Sequence, residues 1–208
     1  GNVEGGSATW GISTYLNGAA GGRPNPLASA YLSPASFDSV SRVSTWGGGS
    51  GTVRADGTAS LEFQGTSVNF AATGGGWLTI KDIQATLDAS GNGSVTGVVS
   101  YGTAPGTYPN IAFDPAQTPA NGPTRVTLVT LAGNTTGAVQ GASSATWTGL
   151  AGSWSSEFTS MLSGAGGTGA WAYASTVSGV TGRTPSAFTF TVGVTPPAVP
   201  TAVALTAS

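Results

Sequence analysis

The chain of 208 residues has no cysteine and no histidine, and only 7% of its residues are charged. Each shortage excludes something. Without cysteine there are no disulfides, no thiolate metal sites and no thiol nucleophiles. Without histidine, the one side chain whose ordinary pKa lies near neutral pH is missing. A Ser-His-Asp or Cys-His catalytic site and a His-ligated zinc or copper site are therefore ruled out. An average soluble domain is about 25% charged, so Ser, Thr, Asn, Gln and bare backbone must do most of the solvating here. The six basic residues, Arg23, Arg42, Arg54, Lys81, Arg125 and Arg183, are scattered. They form no basic patch that would draw nucleic acid or an anionic membrane. Long apolar runs are also missing, and no stretch reaches the roughly 20 residues that a membrane-spanning helix needs.

What the chain has in quantity is glycine, 34 residues of it, together with short runs of β-branched and aromatic residues bounded by Gly, Asn, Asp and Pro. This punctuation reads as strands. Ser44 to Trp46 and Gly51 to Arg54, the turn Asp56-Gly57, and Ala59 to Phe63 form a strand, a turn and a second strand. Ser67 to Ala71 alternates Val68 and Phe70 against polar neighbours. Trp77 to Ile80, Ile83 to Leu87, the turn Ser90-Gly91-Asn92-Gly93 and Ser94 to Tyr101 contain the clearest hairpin. Arg125 to Leu131 and Ala187 to Val192 are further strands. Two segments read as short helices, Ser36 to Val43 with Ser36 as cap and Ser153 to Leu162 with an apolar stripe at Trp154, Phe158, Met161 and Leu162. The expected fold is all-β, an antiparallel sandwich or barrel-like meander whose open end those two helices (about 36–43 and 153–162) plug.

Gly102 to Pro123 and Gly133 to Ser144 read as long surface loops. The domain is expected to span residues 1–194. Thr195-Pro196-Pro197-Ala198-Val199-Pro200 then makes a stiff linker, and residues 201–208 alternate like the start of a further surface domain. A chain poor in charge and cysteine and rich in Gly, Thr, Ser and Ala suits a secreted or cell-surface bacterial protein associated with the wall.

Acid-base chemistry is left to eight carboxylates: Glu4, Asp38, Asp56, Glu62, Asp82, Asp88, Asp114 and Glu157. Asp56 precedes Gly57 in a turn, Asp114 precedes Pro115, and Glu62 stands at a polar position between Leu61 and Phe63. A carboxylate hydrolase would need Glu62 and Asp114 close together and buried. A serine enzyme could take only Lys81 as base, and no nucleophile elbow accompanies it. Asp88, Ser90, Asn92 and Gly93 match the first, third, fifth and sixth places of a calcium loop, but the twelfth place is Val99 where a bidentate Glu is expected. The same four residues also make an Asn-Gly hairpin turn. No catalytic residue and no metal site is assigned, and the chain is not expected to be an enzyme.

Three segments together resemble an HtaA-type domain, the surface haem-binding module of actinobacterial haem-uptake proteins. They are Ala8-Thr9-Trp10-Gly11-Ile12, then Ala59 to Phe70 continuing through Leu78, Ile80, Asp82, Leu87, Gly91 and Gly93 to Val98, and finally Ala145-Thr146-Trp147-Thr148-Gly149 with Phe158 and the closing Phe188 to Val192. The resemblance covers most of residues 7 to 194. It implies haem as the cofactor, held through a Tyr that follows the opening strand and supported by a His in the meander. Here the expected Tyr position falls near Ala19 or Ala20, with Tyr15 a few residues early, and the supporting position falls near Thr73. The late segment that often supplies another Tyr reads Met161-Leu-Ser-Gly-Ala-Gly-Gly, with Tyr173 displaced. Tyr15, Thr73 and Tyr173 are thus the haem-binding candidates that the resemblance implies.

Two functions follow. The first is a non-catalytic, HtaA-type surface domain that binds haem or a haemoprotein. The second is a structural or adhesive module that has lost haem binding and takes wall glycan or a surface protein, with Trp46 and Trp171 as an aromatic platform. Most Trp in β-proteins are packing residues, so the platform competes with an ordinary core role.

Overall fold

A computed structural model describes residues 1–13, 35–38, 40–41, 43–70, 76–103, 116, 118–133, 139–140, 143–163 and 184–195. Among the described residues the strands are β1 (Asn2–Trp10), β2 (Ser36–Asp38), β3 (Val43–Val53), β4 (Ala59–Gln64), β5 (Thr66–Phe70), β6 (Gly76–Leu87), β7 (Gly93–Thr103), β8 (Asn121–Leu131), β9 (Val139–Gln140), β10 (Ser144–Leu150), β11 (Gly152–Trp154) and β12 (Phe188–Thr195), and the helix is α1 (Ser156–Ser163). They form a single antiparallel sheet in the order β11-β8-β7-β6-β4-β3-β1-β12-β10-β9. The two ends of that order meet. β10 pairs with β12, and past Ala151 the same run continues as β11, which pairs with β8 through Gly152↔Leu131 and Trp154↔Val129. The sheet therefore curls into a barrel-like ring. Closure removes the long exposed edges that a sheet this size would otherwise present.

Alternation builds the core. In β4, Leu61 and Phe63 point in while Ser60, Glu62 and Gln64 point out. The same phase brings Trp10, Trp46, Trp147, Phe188 and Phe190 to the interior, each 1% exposed or less. A ring of about eight strands is just wide enough to be filled by side chains, and these aromatics fill it. Phe188 stacks on Trp10 at 4.4 Å between centroids, and Phe63 on Phe190 at 5.6 Å.

α1 takes over where β11 stops. Ser155 Oγ accepts the Phe158 N–H at 3.0 Å as an N-cap, and its hydroxyl donates to the Thr127 carbonyl. Glu157, in the first turn, accepts the Thr127 N–H at 2.7 Å, so a helix supplies the partner that the edge of β8 loses. Phe158 and Leu162 enter the core beside Trp154. This is the expected helix, shifted to Ser156–Ser163.

The other expected helix is absent. Ser36–Asp38 is a strand paired with β3 (Ser36↔Thr45, Phe37↔Ser44, Asp38↔Val43). Asp38 Oδ1 accepts the Val40 N–H at 2.8 Å, which closes a turn where the sequence suggested a continuing helix. Val40, inside the span expected to be helical, is 90% exposed. The reason is tertiary: the open edge of β3 offers three residues a ladder, and a helix this short has little stability alone. The expected loops are also shorter. β7 runs on to Thr103, β8 begins at Asn121, and Val139–Gln140 forms β9.

Candidate functional site

The ring has two unlike ends. One end carries the short connections β3–β4 and β6–β7. Asp56 Oδ1 accepts the Thr58 N–H at 2.9 Å and its hydroxyl at 2.7 Å. Asp88 accepts the Ser90 and Asn92 N–H groups at 2.8 and 2.9 Å and the Asn92 side-chain amide at 2.9 Å. Those bonds hold the carboxyls of both Asp56 and Asp88 below their usual range; for Asp88 the Asn92 amide is the main cause, and for Asp56 the Thr58 N–H. With both Asp88 oxygens so engaged, and with Asn92 Oδ1 accepting the Gly133 N–H at 2.6 Å, the calcium-loop pattern at Asp88 folds as a hairpin turn. Among the described residues no group of three or more His, Cys, Asp or Glu side chains could hold a metal ion.

The long connections join strands at the opposite end. β1 finishes there at Trp10, which faces Ser44 at the start of β3 and Phe188 at the start of β12. β5 finishes there at Phe70, paired with Trp77 of β6. Ser13 bridges Pro185. Tyr15 follows that bridge by two residues and Trp171 and Tyr173 precede it, while Thr73 belongs to the short connection between Phe70 and Gly76. Tyr15, Thr73, Trp171 and Tyr173 themselves lie outside the described residues. What the topology establishes is that the segments carrying all four attach at this end.

The walls of this end are unusual. Along β5, Ser67 and Asn69 pair with Ile80 and Leu78, which are core residues, so the polar side of β5 faces inward. Val68, their neighbour in the alternation, shares the other side with Thr79. The Trp77 ring lies across Gly102, where a Cβ would sit 2.6 Å from it. Thr66, Ser67, Val68 and Asn69 are all buried, as are Trp77, Leu78, Thr79 and Ile80. Both faces of this corner are covered, in contrast to the one-sided β4.

A bend produces it. β6 bulges between Lys81 and Gln84, with Asp82 at φ 48°, a conformation that Asp tolerates better than most residues. Gly65 (φ 114°) turns the chain between β4 and β5, and the two corners are bolted together. Asp82 N–H donates to the Gly65 carbonyl at 2.9 Å, and Gly65 N–H donates to Asp82 Oδ1 at 3.1 Å.

Among the described residues, the interior near this end is lined with hydroxyls and an amide rather than acids or bases. Ser13, Ser44, Ser67, Asn69 and Ser186 are buried. Asn69 Nδ2 donates to Ser67 Oγ at 3.3 Å. Two indoles anchor the surrounding backbone: Trp10 Nε1 donates to the Ser186 carbonyl at 2.9 Å and Trp46 Nε1 to the Ile80 carbonyl at 3.2 Å. Trp46 is 0% exposed, so it is a core residue and no ligand platform; the packing role won because its phase in β3 points it inward. Glu62 is exposed and accepts a hydrogen bond from Gln84 Nε2 at 3.2 Å, which is not the buried acid that a glycosidase pair requires. Sequence reasoning missed the inward Ser67 and Asn69. The signal was present as the period-two polar set of β5, but its phase depended on the bend at Gly65.

A strand ring of this order, with a helix replacing the last partner of β8, matches a solved structure, the C-terminal domain of HtaA from Corynebacterium glutamicum, over 92% of this chain and 98% of that one, at a TM-score of 0.58. The fold is that of an HtaA-type domain. Identity to that structure is 20%, so the likeness is one of architecture. No protein-family model matches the sequence, and no curated protein does. The opening Trp-Gly segment ends β1 and the closing segment lies in β12. β1 and β12 are neighbours, and the meander forms β4 to β7.

Proposed function

We propose that the chain is a non-catalytic, HtaA-type binding domain displayed outside a bacterial cell, with haem or a haemoprotein as its ligand. One observation carries the reading. The segments that hold Tyr15, Thr73 and Tyr173 attach to a single end of an HtaA-type barrel, flanked by the Ser13–Pro185 bridge and the Phe70–Trp77 pair. The donor chemistry fits. A Tyr phenolate ligates ferric haem iron, so Tyr15 would hold the iron, with Tyr173 as the second phenol. A Thr hydroxyl donates one hydrogen bond, so Thr73 would steady a phenolate in the place of a histidine. Among the described residues the buried polar side chains are hydroxyls and an amide, with no charged group among them.

The adhesive alternative loses one of its two platform residues, because Trp46 is in the core. Titration of the purified domain with haemin, read by visible absorbance, tests the proposal. The expected result is a saturable Soret band in the wild type that is lost in Tyr15→Phe. A wild type that gives no band overturns the reading.

A further inference from the structure

The chain has six basic and eight acidic residues in all, yet Glu62, Lys81, Asp82 and Arg125 line one cleft of about 510 Å3. The cleft lies on the outer face of the barrel, at the bend where β4 passes into β5. Its volume is within the roughly 300–1,000 Å3 of small-molecule sites.

Strand register fixes the arrangement. Lys81 pairs with Val98, and Val98 with Arg125. Both cations thus stand on the outer face, two strand spacings or about 10 Å apart, with half-buried Val98 between them. One row along, Ser50 pairs with Glu62, Glu62 with Gln84 and Gln84 with Thr96. This makes a ladder of polar side chains across four strands. Gln84 Nε2 donates to Glu62 Oε1 at 3.2 Å, and Arg125 Nη1 donates to Thr96 Oγ1 at 3.2 Å.

The charges are not spent on one another. Lys81 and Asp82 form an exposed pair at 3.5 Å, an interaction of little strength in water, and Asp82 is also held by the Gly65 N–H. Arg125 meets no carboxylate among the described residues. Its guanidinium keeps most of its five donors, in a planar fork that matches a carboxylate. Glu62, Gln84 and Ser50 offer the acceptors and donors that bind hydroxyl groups.

We propose that this cleft is a second binding site, for an acidic oligosaccharide. Its carboxylate sits between Arg125 and Lys81, and its ring hydroxyls lie along Ser50, Glu62 and Gln84. A neutral sugar would leave the two cations uncompensated. A small inorganic anion would leave the polar ladder unused and would face the Glu62 carboxylate.

Calorimetric titration with trigalacturonic acid tests this, with maltotriose and sodium acetate as controls. The expected result is binding of the acidic trisaccharide that weakens with added salt and falls about tenfold or more in Arg125→Gln, as loss of a hydrogen bond to a charged group implies. Maltotriose and acetate give no saturable heat. The exposed substitution leaves Tm unchanged, and it leaves the haemin titration as in the wild type because Arg125 is not one of the haem-binding candidates. The proposal is overturned if trigalacturonate does not bind, if maltotriose or acetate binds as well, or if Arg125→Gln binds like the wild type.

Discussion

The two ends of the barrel are held by opposite kinds of contact. At the short-turn end most of the described side-chain bonds are local, Asp56 to Thr58 and Asp88 to Ser90 and Asn92, the Gly133 N–H to Asn92 Oδ1 being the long-range exception, and the backbone pairs Arg54–Thr58 and Asp88–Asn92 close each turn at 2.8 Å. At the long-connection end the bonds span the sequence. Trp10 reaches Ser186, 176 residues away, and Trp46 reaches Ile80, 34 away. The first end sets strand register and exposes its carboxylates. The second buries large side chains and leaves strand ends from which the ligand-candidate segments depart. A locally specified base thus carries an end whose geometry depends on the whole fold.

Breaking a long-range anchor gives the largest effect. Trp10→Ala is expected to lose about 3–5 kcal/mol and Trp10→Phe less, since the ring stacked on Phe188 survives while the bond to Ser186 does not. Urea unfolding followed by far-UV circular dichroism would measure both. Equal losses for the two variants would place the weight on the hydrogen bond rather than on packing.

Breaking a local turn costs less. Asp88→Ala removes three hydrogen bonds but leaves the β6–β7 ladder in place, so it should lower Tm slightly and leave the unfolding cooperative. A large fall in Tm would mean that this turn organises the barrel.

pH separates the ends most gently. The folded-state pKa values of Asp38, Asp56 and Asp88 lie below the ordinary range, each through hydrogen bonds to its carboxylate, the largest contributor for Asp38 being the Val40 N–H. Their stabilisation is therefore fully present above the unfolded carboxylate value of about 3.9 and is lost as pH falls through the lower folded values. With no histidine in the chain, Tm is expected to stay level from pH 8 to about 5 and to decline only below about 4. A step near pH 6 to 7 would contradict this.

The comparison of ends also explains what was legible. The hairpin through Ser90-Gly91-Asn92-Gly93 and the strand pair across Asp56-Gly57 were readable because turn chemistry acts within four residues. The Phe158 and Leu162 stripe was readable because helical spacing is local too. Ser36 to Val43 misled, since its spacing suited a helix while the edge of β3 was waiting for a strand. The alternation of β5 was readable but its phase was not, because Ser67 and Asn69 turn inward only after Gly65 and Asp82 bend the sheet. Trp46 as a ligand platform failed for a related reason: an indole's exposure is set by strand phase, and phase is set by pairing. The clustering of Lys81 and Arg125 had no local sign at all, because their separation in sequence says nothing about β6, β7 and β8 lying side by side.

By itself, the sequence determined the chemistry open to the protein. It has no histidine or cysteine, few charges, many glycines for turns and enough β-branched and aromatic residues for strands, which specify an all-β scaffold with no histidine- or cysteine-dependent site. Only the tertiary structure decided which residues meet. Ring closure through the continuous β10–β11 run, the inward turn of β5, and the gathering of four charges on one outer face all depend on pairings between distant strands. Residue types and turn signals act over a few positions, whereas register is chosen by the burial of the whole core.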